Sequence, residues 1–509
     1  MISLRVAKTE NGLVRGLPAA DPRITSFKGI PYAAPPVGEN RWRPPQPARD
    51  WDGMLEAFEF SPIPMQARPS RDDDSLYARE WHVDPDIAMD EDCLYLNIWT
   101  PAASPDEKLP VFVWYYGGGL QVGHASEMEF DGERIARRGI VVVTVNYRLN
   151  AFGFLCHPDI TAESPGAPAN FGHLDQLFAL KWVRRNIAAF GGDPDNVTIG
   201  GQSAGGGSVL ALLTSPQTEG LFKRVIIQSG IIAPVYPAGR VPPAPLPLEE
   251  AEREGVRFFE LLGVSSLAEA RRLDASCILD RALASGGFWG TAIDGRFCAD
   301  HPFDLLVQNR RPDVPILWGH TSSEFFQSPQ AETPEELRRL AAERFGGDAD
   351  AFLRLCGADA GDVKEAVRRA SVSGIEYAIR VASRARAESG ASAPLYYYVF
   401  DADIPGWDNP GTFHSVDLWF FFETLAKCWR PFVGRHYDLA RQMCNYWAHY
   451  IRSGDPNGPD STGEPLPRWE PYTEDAPYKM VFADGAAFVR EGPSDVMAFL
   501  VDQYFKQRR

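Results

Sequence analysis

The chain of 509 residues lacks most of the patterns that lead to nucleic acid, a metal ion or a membrane. It holds no Lys/Arg-rich run, and a formal net charge of −17 repels nucleic acid and anionic membrane surfaces at long range. No apolar run approaches the ~18 residues of a membrane span. The opening, MISLRVAKTENGLVRG, lacks the apolar core of a secretory signal, so the expectation is a cytoplasmic protein with neither a membrane nor a nucleic-acid partner. The 7 cysteines, scattered from Cys93 to Cys444, contain no C-x-x-C, which excludes a sequence-encoded disulfide framework or zinc site. No H-E-x-x-H, P-loop or G-x-G-x-x-G stands in a suitable context, and no metal or other cofactor is expected. What remains, 44% hydrophobic and 23% charged residues, is ordinary for a globular protein with a large core. Length alone suggests about three domains, but α/β folds with long insertions use such a length around one sheet.

The stretch 197–209, VTIGGQSAGGGSV, carries G-x-S-x-G as Gly201, Gln202, Ser203, Ala204 and Gly205. FGGDPDNVTIG precedes it as a turn and a short β-branched run, and small residues able to start a helix follow. In a strand–turn–helix context the motif describes a nucleophile elbow, where the flanking glycines allow the bend that lifts a serine hydroxyl above the sheet. Isolated from that context, it is a serine in a glycine-rich turn.

Strand and helix alternate around it. Strands are expected at 93–99, over LPVFVWYY before Gly117, at 140–149, over FKRVIIQ, over VPILWGH and at 396–400. Helices are expected over 174–190, up to Leu262, over most of 334–389, and over YDLARQMCNYWAHYIRSG and SDVMAFLVDQYF. This predicts an α/β fold with a mainly parallel sheet. Prolines make 27–47 an extended arm, RDDD at 71–74 reads as a solvated loop, and the proline-rich run 231–248 reads as an extended entry to a lid-like insertion.

Together FKGIPYAAPPVG, EDCLYLNIWTP, VWYYGGG, the block from ANFGHLDQ to GGQSAGGGSV, FKRVIIQSG, GTFHSVD and SGDPNG resemble the type-B carboxylesterase and cholinesterase family of α/β-hydrolases. The resemblance covers nearly the whole chain. It implies a single domain, 1–509, with a mostly parallel twisted sheet flanked by helices, an N-terminal β-rich arm, and helical insertions around 231–290 and 330–390. The activity it implies is serine carboxylic-ester hydrolysis, with water and a small to medium, largely apolar ester as the partners. A non-catalytic adhesion protein on the same fold and an amide or thioester hydrolase are the alternatives.

A serine hydroxyl needs a base to take its proton and an acid to orient that base. The order nucleophile, acid, histidine leaves His301, His320, His414, His436 and His449 downstream of Ser203. Of these, His414 follows a Gly-rich loop after a strand and matches the family's catalytic histidine. Glu324, in the loop after VPILWGH, matches the triad glutamate, with His320 as a neighbouring group. Asp417 and Asp294 are read as standing behind the site. The resemblance implies Gly118, Gly119 and Ala204 as the oxyanion-hole donors, beside Gly117 in the same loop. Tyr116, Leu120, Phe288, Trp289 and Trp419 are the candidate pocket residues. Leu120 and Gly200 replace bulkier family residues, which predicts an enlarged pocket. Trp81 is read chiefly as packing, with stacking of a cation as the alternative. Cys93 resembles half of a family disulfide whose partner region, SPIPMQ, has no cysteine, and Arg41 with Glu91 resembles a structural ion pair.

Overall fold

Short runs rich in valine, isoleucine and aromatic residues cannot satisfy their backbone alone, and in this chain they pair into one large sheet. The computed structural model describes residues 3–69, 74–81, 84–236, 244–483 and 485–508. The sheet comprises β1 (Leu17–Pro18), β2 (Thr25–Pro31), β3 (Tyr95–Thr100), β4 (Leu109–Tyr115), β5 (Val141–Val145), β6 (Gly192–Gln202), β7 (Arg224–Gln228), β8 (Ile316–Thr321), β9 (Leu395–Phe400), β10 (Tyr478–Phe482) and β11 (Ala486–Arg490). Across it the order is β11-β10-β9-β8-β7-β6-β4-β5-β3-β2-β1. From β10 to β5 neighbours run parallel, while β11 and the β3, β2, β1 flank run antiparallel.

Every residue of β5, β7, β8 and β9 is buried, as expected of parallel strands covered on both faces. The expected α/β-hydrolase architecture is the one observed. The helix Phe171–Asn186 leads into β6, and Ala204–Thr214 leaves it. The β-rich arm pairs Val6–Lys8 with Leu13–Arg15 and that strand with Met54–Glu56. The insertions are helical at Leu248–Leu262, Ala275–Ala284, Pro334–Phe345 and Gly374–Glu388. Residues 71–73 of the RDDD loop and 237–243 of the proline-rich entry lie outside the described residues. Among the described residues, no helix is long and apolar enough to cross a membrane.

All seven cysteines are free, so the loop before Cys93 is held by other means. The side chain of Gln66 donates to the carbonyls of Pro64 and Gly123 (both 3.0 Å) and accepts from the Gly123 amide (2.8 Å). Main-chain bonds join Ile63 to Ala88 and Asp90.

The Arg41 and Glu91 pair is buried and bidentate, and Arg41 Nη1 also donates to the carbonyl of Leu273 (2.8 Å), tying the arm to the first insertion. Arg41→Met leaves a buried carboxylate without its partner. Its expected cost is about 3–5 kcal/mol, read as a lower urea midpoint at unchanged slope. An unchanged midpoint would show that the pair contributes nothing.

Candidate active site

The G-x-S-x-G spacing follows from contact distances at the end of β6. A Cβ on Gly201 would sit 2.3 Å from the carbonyl oxygen of Gly205, and one on Gly205 would sit 2.1 Å from that of Tyr115. Only glycine lets β6, the turn and the next helix approach so closely. Between them Ser203 has φ 56° and ψ −125°, a backbone state that costs a non-glycine residue about 1–3 kcal/mol. Its amide is anchored on the carbonyl of Gln228 in β7 (2.8 Å).

The predicted base and acid meet this serine from two other strand ends. His414 Nε2 lies 2.8 Å from Ser203 Oγ, and its Nδ1 is hydrogen-bonded to Glu324 Oε2. Because a carboxylate only accepts, Nδ1 carries the hydrogen and Nε2 is free to take the serine proton. The other Glu324 oxygen accepts from the Thr321 amide (2.9 Å) and from the Ser229 hydroxyl. Burial alone would raise the Glu324 carboxyl. The charge and hydrogen bond of His414, the charge of His320 and the bond from Ser229 outweigh it and leave the carboxyl below its ordinary value. Glu324 is therefore a carboxylate at neutral pH.

His301, His436 and His449 do not approach this cluster. His436 bonds the Val433 amide and the Asp403 carbonyl, His449 bonds the Pro459 carbonyl, and His301 precedes the helix Pro302–Val307. Asp294 holds a turn by accepting from the amides of Arg296 and Cys298 and from Asn170.

The glycine loop after β4 passes in front of the serine, with Gly118 at φ 95° and Gly119 at φ 65°. The amides of Gly118, Gly119 and Ala204 make no hydrogen bond among the described residues. Phe288, 45% exposed, stands over Gly119, and Trp289 beside it is buried. Leu120 is nearly buried beside them, at φ 63°.

Three expectations about the pocket need correction. Tyr116 is fully buried, stacked on Tyr147 at 4.4 Å with its hydroxyl on the Tyr147 carbonyl, so it supports the loop from behind. Trp419 is also fully buried, its ring stacked against Trp81 and its Nε1 donating to Glu80 (3.3 Å), so it offers substrate no surface. Gly200 adds no room, because the Phe112 ring fills its side-chain space and a Cβ there would lie 2.6 Å from it. Trp81 itself stacks on both Tyr77 and Trp419 and packs with Phe413.

Two contributors carried no sequence signal. Gln202, inside the motif, donates to Ser415 Oγ (2.6 Å) and lies 3.2 Å from His414 Nε2, so β6 itself grips the histidine loop. Ser229 follows β7 and holds Glu324. Among the described residues, no three His, Cys, Asp or Glu side chains are grouped as metal ligands would be.

Asp417, three residues beyond His414, is fully buried and accepts from Tyr398 Oη (2.8 Å) and Gln228 Nε2 (3.2 Å), leaving Oδ1 without a partner. Burial, then the nearby Glu324 charge, pushes its carboxyl up to about 6 against those hydrogen bonds. A carboxyl raised on folding holds a proton that the unfolded chain has lost, so its contribution to stability falls as pH rises from about 4 to 6 and stays low above. Asp417→Asn should therefore gain stability relative to the native chain between those values and keep the gain at pH 8. Equal urea midpoint differences at pH 4 and pH 8 would refute it.

Comparison with known proteins places the chain in a family. The carboxylesterase family profile matches residues 3–491. The fumonisin B1 esterase of Sphingopyxis macrogoltabida is 33% identical over 484 residues, covering 91% of this chain and 84% of that protein. Among solved structures, PNB esterase superposes with a TM-score of 0.78 at 27% identity, covering 98% of this chain and 99% of that one. The Geobacillus stearothermophilus carboxylesterase EST55 does so with a TM-score of 0.73 at 32% identity, covering 97% and 99%. Family, relatives and fold agree, and the chain belongs to the carboxylesterase family as a serine carboxylic-ester hydrolase.

Proposed function

We propose that Ser203, His414 and Glu324 are the catalytic triad of this esterase and that Gly118, Gly119 and Ala204 form its oxyanion hole. The observation that carries the reading is the unbroken chain of bonds from Ser203 Oγ to His414 Nε2 (2.8 Å) and from His414 Nδ1 to Glu324. His414 takes the serine proton as Oγ attacks the ester carbonyl, and the carbonyl oxygen gains its negative charge facing the three amides. His414 then gives the proton to the leaving alcohol. Water resolves the acyl-enzyme by the same route, and Glu324 holds the imidazole and balances its transient charge throughout.

The exposed Phe288 and the buried Trp289 beside it support small to medium, largely apolar esters as substrates. One hydrophobic core running from Ala7 to Val501 supports a single domain with insertions around 231–290 and 330–390. Free cysteines throughout, five of the seven buried, support the cytoplasm as the compartment.

A fluorophosphonate tests the reading directly. It should label Ser203 alone, identified by peptide mass, and abolish hydrolysis of a short nitrophenyl ester in step with labelling. Label on another residue, or full turnover by labelled protein, would overturn the reading.

A further inference from the structure

We infer that Gln121 is a positioning residue that couples occupancy of the pocket at Phe288 and Trp289 to the alignment of the oxyanion-binding glycines. The inference rests on the reading of Gly118 and Gly119 as donors. Gln121 lies two residues after the last glycine of the loop, Gly119, and both its amide hydrogens and its oxygen are engaged. Nε2 donates to the carbonyl of Gly119 (3.0 Å) and to the carbonyl of Trp289 (2.6 Å), and the Trp289 amide reaches back to Oε1 (3.4 Å). One side chain thus joins two segments 168 residues apart, the oxyanion loop and the end of the first insertion.

The loop needs such a brace. Gly118 and Gly119 both have positive φ and no side chain to pack, so their own preferences do little to fix where their amides point. The remaining bonds hold other positions. The Gly118 carbonyl accepts from the amides of Gln121 (3.0 Å) and Val122 (3.1 Å), and the Leu120 carbonyl accepts from the Asn150 amide (2.7 Å). At Gly119 the carbonyl is held by Gln121, and through it by the insertion.

The far end of the brace lies at Phe288 and Trp289, the residues read as lining the substrate pocket. Phe288 reaches within 3.8 Å of the position a Cβ would take on Gly119, and Trp289 packs edge-on against Phe258 (4.8 Å) of the helix Leu248–Leu262. A substrate chain pressed against Phe288 and Trp289 therefore bears on the segment to which Gly119 is tied. Because the oxyanion donors act on the transition state, that coupling is felt in kcat and not only in binding.

The test uses Gln121→Met, which keeps the shape and removes all three bonds, and Gln121→Glu, which turns an acceptor toward two carbonyl oxygens. Each is assayed on nitrophenyl esters from acetate to octanoate and on octanoate esters of alcohols of increasing length, with active sites counted by fluorophosphonate labelling. On the longer-chain esters kcat per labelled site should fall about 10- to 100-fold, more than KM changes and more than on the shortest ester. Gln121→Glu should fall at least as far. A kcat within about twofold of the native enzyme on every ester, or one constant loss at every chain length, overturns the coupling. Failure of the native enzyme to label would instead strike the triad reading, so the two are told apart.

Discussion

Ser203→Ala should lower kcat on a short nitrophenyl ester by about a million-fold, the scale seen when a serine hydrolase loses its nucleophile. The substitution removes one oxygen whose partner is His414, while the amide bond to Gln228 stays and alanine meets the same φ as serine. Circular dichroism and the urea midpoint should therefore match the native protein. Residual activity above about one part in a thousand, in protein free of native enzyme, would remove Ser203 from the mechanism.

Glu324→Gln should cost about 10,000-fold in kcat, through the tautomer of His414 rather than through lost packing. The Thr321 amide and the Ser229 hydroxyl both donate to Glu324 Oε1, so the glutamine oxygen must occupy that place. Its NH2 group then faces His414 Nδ1, which can answer only by becoming an acceptor. The ring hydrogen moves to Nε2, and the nitrogen beside Ser203 can no longer take a proton. A variant within about tenfold of native kcat would show that Glu324 does not set this tautomer. Asp417, the competing carboxyl three residues from His414, bonds Tyr398 and Gln228, and the tautomer argument does not extend to it.

Much of this protein is written locally. The elbow is legible because its requirement is local: a β-branched run, two glycines where a Cβ would strike carbonyl oxygens 2.3 and 2.1 Å away, and small residues that begin a helix. The central strands are legible because a parallel strand buried on both faces needs a continuous apolar run. The hairpin of β10 and the edge strand β11 is not legible in the same way, since at the margin of the sheet no continuous apolar run is needed and its sequence mixes charged with aromatic residues.

The pocket was the part least open to reading. The small Gly200 suggested free space, yet Phe112, two strands' pairing away in the chain but adjacent in the sheet, occupies it. Tyr116 and Trp419 are aromatic and close to the site in sequence, but their hydroxyl and indole nitrogen are bonded away from it.

The sequence by itself determined the fold class and the nucleophile's turn, because each depends on residues that are neighbours, whereas Glu324 and His414 stand out in it only through resemblance to the family. Only the tertiary structure decided which oxygen of Glu324 faces His414, that Gln202 grips the histidine loop, and that Gln121 ties Gly119 to Trp289. Those are directional contacts between groups as many as 213 residues apart, and their geometry exists only once the sheet has brought the strand ends together.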